Sequence, residues 1–302
     1  MGVREQAALL QQLLSIRRRV RAALEQWINR WFAASDEFRD ADRDRFVRDF
    51  MPVALGAQQT SALTMWTFQD QMLADITGDT RSAEPLDVST VTGEALRGVP
   101  SETVYARPFA EIWRVLAEQE ADRQELLEEA RAAGEPVDEV EARLAEEKPL
   151  TKAVAAGERR ARLLGVTDLE LAEREAARQI LTTDPRAPRF YQRVLTGDEN
   201  CGMCIVASTQ RYRREELLPI HPGCDCVVQP LPDGTRHVVD EQLLVDAHAA
   251  IQERFGISDR SARAIDYRKI LLVREHGELG PVLTVARHKF TGPDGVPTPR
   301  PA

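Results

Sequence analysis

The chain has 302 residues, 43% of them apolar and 29% charged, a balance that excludes a disordered polymer and allows one large or two ordinary domains. Its formal net charge of −9 repels nucleic acid in general, so any DNA contact must rest on a local basic patch. No apolar run approaches the roughly 18–20 residues that span a bilayer, and MGVREQAALL lacks the order of a secretory signal, so folding in a reducing cytoplasm is expected.

From Arg4 to Ala34 there is no Gly or Pro, and Leu13, Ile16, Val20, Leu24, Trp27, Ile28 and Trp31 recur at steps of three and four. That spacing predicts a long helix with one apolar face. Arg17, Arg18, Arg19 and Arg21 fall on the other side, either as a solvated face or as a contact for DNA or an acidic partner. A second helix is expected to start near Ser35, whose hydroxyl can cap it, with Phe46, Phe50 and Val53 on one side. Pro52 should kink or restart it, and the pattern resumes through Leu63, Trp66 and Met72 to a stop at Gly78. Residues 79–108 are interrupted by Pro85, Gly93, Gly98, Pro100 and Pro108, which predicts a loop with one short strand in LDVSTVT.

Helix returns from Phe109 to Ala133, with Ile112, Val115, Leu126 and Leu127 as partial core positions. Residues 109–148 are strongly acidic and poor in large apolar groups, so an exposed helical hairpin turning at Gly134 and Pro136 is expected. Thr167 followed by Glu170 is the reciprocal capping pattern, which predicts a helix from Asp168 to Leu181, closed by Pro185 and Pro188. The expected fold class is α+β. A mainly helical N-terminal region (1–183) with long helices precedes a small mixed α/β module (184–290) clipped by a Cys/His zinc site, and residues 291–302 form a mobile Pro- and Gly-rich tail.

RFYQRVLTG and VVQPL are strand candidates on either side of the cysteines. All four cysteines lie between Cys201 and Cys226. Cys201 and Cys204 have the spacing at which a tight turn aims two thiolates at one cation, and Cys224 and Cys226 approach from the other side of the excursion, with His221 just ahead. This predicts a tetrahedral Zn²⁺ site made by Cys201, Cys204, Cys224 and Cys226, with His221 replacing Cys226 or steadying a sulfur through its ring N–H. Two disulfides, in any of three pairings, are the reading for a protein matured outside the cell. A Cys204 nucleophile with His221 as base is a third. No G-x-S-x-G, H-E-x-x-H or phosphate-binding glycine loop accompanies it, so no enzyme is expected. Beyond the clip, DEQLLVDAHAAIQERFG predicts a helix from Asp240, with Leu244, Ala247, Ile251 and Phe255 on one side. RKILLVRE and PVLTVARHKF, separated by HGELG, predict a hairpin or two neighbouring strands, with His276 and His288 as surface or edge residues.

ENCGMC, STQRY and LPIHPGCDC together resemble the signature of the phage Mu F-like minor capsid, or head morphogenesis, family, in which C-x-x-C is followed by H-P-x-C-R-C. DYRKILLVREHGELGPVLTV is similar to the C-terminal segment of such proteins in tailed phages of actinobacteria. The resemblance covers about Arg189 to Phe290, and Asp225 departs from it by standing where the family has Arg. It implies a structural protein of the phage head at the portal vertex and capsid interior, with the portal protein and capsid or scaffold proteins as partners. No membrane partner is expected, given the lack of a spanning apolar run. Some similar proteins are described as maturation proteases, often where a protease is fused, so a cysteine-dependent capsid protease is one alternative. A DNA-binding zinc ribbon is the other.

Overall fold

The computed structural model describes residues 3–35, 37–145, 149–196, 202–208, 211–216, 226–234, 245, 248–249, 252, 271–276 and 280–285. The protein is mostly helical, with a small three-stranded antiparallel sheet. It divides into two compact units, one drawn from residues 1–22, 55–98 and 166–302 and the other from 23–54 and 99–165. No described helix is long and apolar enough to cross a membrane.

The first helix, α1, spans Val3–Ala33. Ser35 does not open the next one: its hydroxyl donates to the Trp31 carbonyl at 2.9 Å and so closes α1. Helix α2, Asp40–Thr77, starts later, where the Asp42 carboxylate accepts from the Arg39 backbone N–H at 3.0 Å, one half of a capping box. Pro52 neither ends nor restarts α2. It lies on the exposed side, as does Arg48, whose carbonyl loses its amide partner to the ring, so water can serve that oxygen. The expected apolar step at Leu63 is displaced, for Leu63 is 46% exposed and Ala62, Met65 and Phe68 are buried instead.

No strand forms in LDVSTVT. Two 3-10 turns, Val88–Val91 and Gly93–Leu96, stand there because the Asp87 carboxylate accepts from the Ser89 N–H at 3.0 Å and nucleates the first turn, while Gln58 accepts from the Gly93 N–H at 2.7 Å. Helix α3 then runs Ser101–Ala133, starting ahead of the expected Phe109 and passing through Pro108. Its end has the predicted turn. Gly134 is left-handed (φ 73°), its N–H donates to the Arg131 carbonyl and the Glu135 N–H to that of Ala130, a Schellman closure. Helix α4, Val137–Ala145, folds back so that Val140 packs on Leu127 and Ala130, whereas Leu126 is 42% exposed.

The unit of residues 23–54 and 99–165 has an aromatic core. Phe46 contacts Trp31 edge-on with centroids 4.8 Å apart and stacks on Phe50 at 5.1 Å, and Tyr105 meets Phe50 edge-on at 4.8 Å. Phe38 is held in the left-handed region (φ 52°), a conformation that costs a non-glycine residue free energy. Burial of its ring and a 3.0 Å hydrogen bond from Trp113 Nε1 to its carbonyl offset that cost. Helix α5 spans Pro149–Thr183 without interruption, so Thr167 and Glu170 lie inside a helix and cap nothing. Neither glycine within it is a stop; both are contacts. A Cβ on Gly157 would lie 2.4 Å from Ile112 Cγ1 and 2.8 Å from the Pro108 carbonyl oxygen. Ile112 can rotate, the carbonyl cannot, so Gly157→Ala is expected to cost about 1–3 kcal/mol in urea unfolding. Gly56→Ala, whose Cβ meets nothing within 4 Å, should instead stabilise by about 0.5–1 kcal/mol.

In the unit of residues 1–22, 55–98 and 166–302, the cores of α1, α2 and α5 meet a sheet. Leu13, Met65, Phe68, Met72, Ala176 and Ile180 pack with Tyr191, Tyr212 and Val228. Strand β1 is Phe190–Val194, β2 Arg211–Arg213 and β3 Val227–Leu231, in the order β2-β1-β3 and antiparallel throughout. The expected strands of RFYQRVLTG and VVQPL are therefore neighbours. Strands β4, Leu271–His276, and β5, Gly280–Val285, form the predicted hairpin, with Leu271 opposite Val285 and His276 opposite Gly280. Of the helix expected from Asp240, positions 245, 248, 249 and 252 are helical; Leu244, Ala247, Ile251 and Phe255 lie outside the described residues, as do His288 and the tail.

One buried cation ties the chain leaving α5 to the segment after α2. Arg186 Nη2 lies 2.5 Å from Asp70 Oδ1 and 2.7 Å from Asp184 Oδ2, and Nη1 donates to the carbonyls of Asp79 and Arg81. The hydrogen bond from Arg186 holds the Asp184 carboxyl below the ordinary carboxylate range, against burial that raises it. A depressed folded value means a contribution present above about pH 4 and lost as pH falls through that lower value. Acid titration of stability should accordingly be shallower below about pH 4 in Asp184→Asn than in the wild type, and equal slopes would remove Asp184 from the acid response.

Candidate metal centre

Strand β1 alternates: Tyr191 and Arg193 are buried and Phe190, Gln192 and Val194 are half-buried. Antiparallel pairing brings Arg193 opposite Val228, close to Cys226, the residue that leads into β3. Cys204 does not sit in a tight turn. It is carried by a short helix, α6, Gly202–Ser208, which packs on β1 and is tied to the sheet by a 2.7 Å hydrogen bond from the Tyr212 hydroxyl to the Ala207 carbonyl.

These elements bring Cys204 and Cys226 into one neighbourhood. Cys204 and Cys226, each 3% exposed, share one buried cluster with Leu171 of α5, with Leu96 and Leu195 packed against it. They are not bridged to one another. Arg193 Nη1 donates to Cys226 Sγ at 3.3 Å, and the same guanidinium lies 5.9 Å from the Tyr212 ring centroid. Cys201, His221 and Cys224 lie outside the described residues, and among the described residues no three potential ligands meet. Of the described donors, Cys204 and Cys226 share one buried cluster, and the Arg193 hydrogen bond favours negative charge on Cys226.

Behind Cys226 lies a charged layer that the sequence reading did not find. Arg17, Glu170, Glu173 and Arg174 line a small cavity with Met65, Cys226 and Val228, of about 10 Å³. Arg17 leaves the expected solvated face of α1 and turns inward to Glu173, with Nε 3.2 Å from Oε1 and a second, closer contact from Nη2. Burial opposes the charge on Arg17, yet the carboxylates of Glu173 and Glu170 outweigh it and raise the guanidinium above its ordinary pKa. A second buried pair, Arg97 Nη2 to Asp168 Oδ1 at 2.6 Å, uses the next acid of α5. Of the four arginines expected to face DNA, Arg18 and Arg19 are exposed, Arg21 is half-buried and Arg17 is committed to Glu173. Arg193 was legible as a charged residue at an inward strand position, in phase with Tyr191. The acids of α5 showed only as Glu170 and Glu173 three residues apart, the spacing of one helix face.

Comparison with known protein families, with curated proteins and with solved structures found no match to this chain.

Proposed function

We propose that this chain is a phage head-morphogenesis (minor capsid) protein, a structural component of the virion held at the portal vertex and head interior, whose C-terminal module is closed by zinc. The observation that carries the zinc half of this reading is the meeting of Cys204 and Cys226 in one cluster, one sulfur from each half of the motif. The resemblance of residues 189–290 to the Mu F-like family carries the other half. Cys201, Cys204, Cys224 and Cys226 would hold the cation, with His221 replacing Cys226 or steadying a sulfur, and the ion supplies a cross-link between α6 and β3, with no reaction. Arg193 orients Cys226. Burial of Cys204 among leucines also disfavours a cysteine hydrolase, because thiols in apolar surroundings are inert.

The partners proposed are the portal protein and capsid or scaffold proteins, with Arg18 and Arg19 as the accessible part of the α1 cluster for packaged DNA. Co-expression with the portal and major capsid proteins of the same phage tests the assembly role. The wild-type chain is expected to sediment with proheads and to be lost from heads assembled without portal. Heads that never contain the chain would contradict the reading.

A further inference from the structure

Two helical stretches in the unit of residues 1–22, 55–98 and 166–302 carry no ionisable side chain: residues 6–16 of α1 and 55–69 of α2. In a chain with 29% charged residues, stretches of that length would hold about three and about four. Their exposed positions bear only Ala, Gln, Ser, Gly, Thr and Leu. Gln6 of α1 donates to the Asp75 carboxylate of α2, whereas Arg17 shares its cavity with Met65, so the two helices run antiparallel and the charge-free stretches lie side by side. Between them is a groove of about 200 Å³. Buried Leu13 and Phe68 form its floor, and Leu9, Ile16 and Leu63 stand along its sides, Leu63 with 46% of its surface exposed. Thr64 and Thr67 on its rim add little polarity, because their hydroxyls donate to the Thr60 and Leu63 carbonyls of their own helix at 2.7 and 2.9 Å.

We propose that this groove is the contact by which two copies of the chain associate about a two-fold axis. One exposed leucine is ordinary on a protein surface. Two adjoining helix faces without a charge are not, because depletion of charged residues marks the centre of protein interfaces. The occupant must itself present an uncharged ridge, since a charge laid on the floor of Leu13 and Phe68 would lose water without gaining a partner. A second copy of the same groove meets that condition, with Leu63 as the ridge. An axis through the middle of the groove lets the same residues serve both copies, as a two-fold contact requires, with Leu63 of each copy over Leu9 of the other and Gln12 over Thr67. The exposed Arg18 and Arg19, just beyond Ile16, then go to opposite ends of the pair, whereas parallel alignment would set the two basic clusters side by side. The face is about 16 Å long on α1 and about 20 Å across the two helices, or roughly 300 Å² in plan. That is less than the ~800 Å² per partner of a standard interface, so the dimer is weak, with a Kd above about 1 µM, and forms where the chain is concentrated. Neither zinc nor the capsid role enters into this association, and each can fail without the others.

The test is sedimentation equilibrium of the full-length protein between about 1 and 300 µM, with a reductant present so that no disulfide links two chains. The wild type is expected to pass from monomer to dimer across that range. Leu63→Glu, at an exposed position where glutamate favours helix, should raise the dimer Kd at least about tenfold while helical circular dichroism and the urea midpoint stay unchanged. Leu126→Glu, comparably exposed on α3 and outside the groove, should leave the Kd as in the wild type. Gln12→Lys and Thr67→Glu should each associate at least about tenfold more weakly than the wild type, because each puts two unpaired charges into the contact. Their equimolar mixture should recover affinity, because a mixed pair sets one ammonium over one carboxylate. Four results would overturn the proposal: a wild type that is monomeric at the highest concentration, which would leave the groove to a helix of another protein; dimers of Leu63→Glu as tight as those of the wild type; an equal loss from Leu126→Glu; or a mixture of Gln12→Lys and Thr67→Glu no tighter than either alone.

Discussion

Cys204→Ser, purified anaerobically, is expected to carry no zinc and to lose order around the cysteines, at α6 and the approach to β3, while the long helices and the strands packed on them persist. Zinc binding in small finger peptides is worth about 10–16 kcal/mol of folding free energy, more than the small described cluster of Leu171, Leu96 and Leu195 around the two cysteines can replace. The expectation is specific to the ligand set. Cys204 is buried in one cluster with Leu171 and Cys226, so if it were no more than a small buried group, serine would cost about 1–3 kcal/mol and would leave the surrounding structure folded. Near-ultraviolet circular dichroism and limited proteolysis separate the two outcomes. A Cys204→Ser protein with native spectra and a full complement of zinc would remove Cys204 from the site.

Glu173→Ala should destabilise the protein by about 3 kcal/mol, the low end for breaking a buried pair, because it removes the nearer carboxylate of the Arg17 guanidinium and leaves Glu170 to compensate in part. The double variant Arg17→Met/Glu173→Leu should recover most of that loss, since replacing both members of a buried pair by apolar groups of similar size is often neutral. Urea midpoints at constant slope give both numbers. If Glu173→Ala costs less than about 1 kcal/mol, the pair behaves as a surface salt bridge and Arg17 is available to a partner after all. The same variants report on the surroundings of Cys226, because Arg17, Glu173 and Cys226 line one small cavity.

The elements that local chemistry decides were legible in the sequence. Absence of Gly and Pro gave α1, alternation gave β1, and Gly134 gave the turn between α3 and α4. What local chemistry could not decide came from partners distant in the chain. Arg17 reads as one of four surface arginines until Glu173, 156 residues away, supplies a buried carboxylate. Thr167 and Glu170 have the form of a cap, but α5 continues through them because residues 166–173 are buried on every side, where a helix end would strand its amides. Pro52 and Pro108 have the form of breaks and are carried within helices whose packing outweighs one missing hydrogen bond each. Of the candidate site, the structure places Cys204 and Cys226 in one buried cluster, as their motif spacing led one to expect of these two residues. The guanidinium beside Cys226 was not, since nothing in C-x-x-C or H-P-x-C-x-C refers to β1.

X-ray absorption at the zinc edge, combined with elemental mass spectrometry on the anaerobically purified chain, tests the zinc clip most directly. The expected result is one zinc per chain in a shell dominated by sulfur at about 2.3 Å. A chain that binds no zinc yet remains folded, or a shell of light atoms alone, would contradict it.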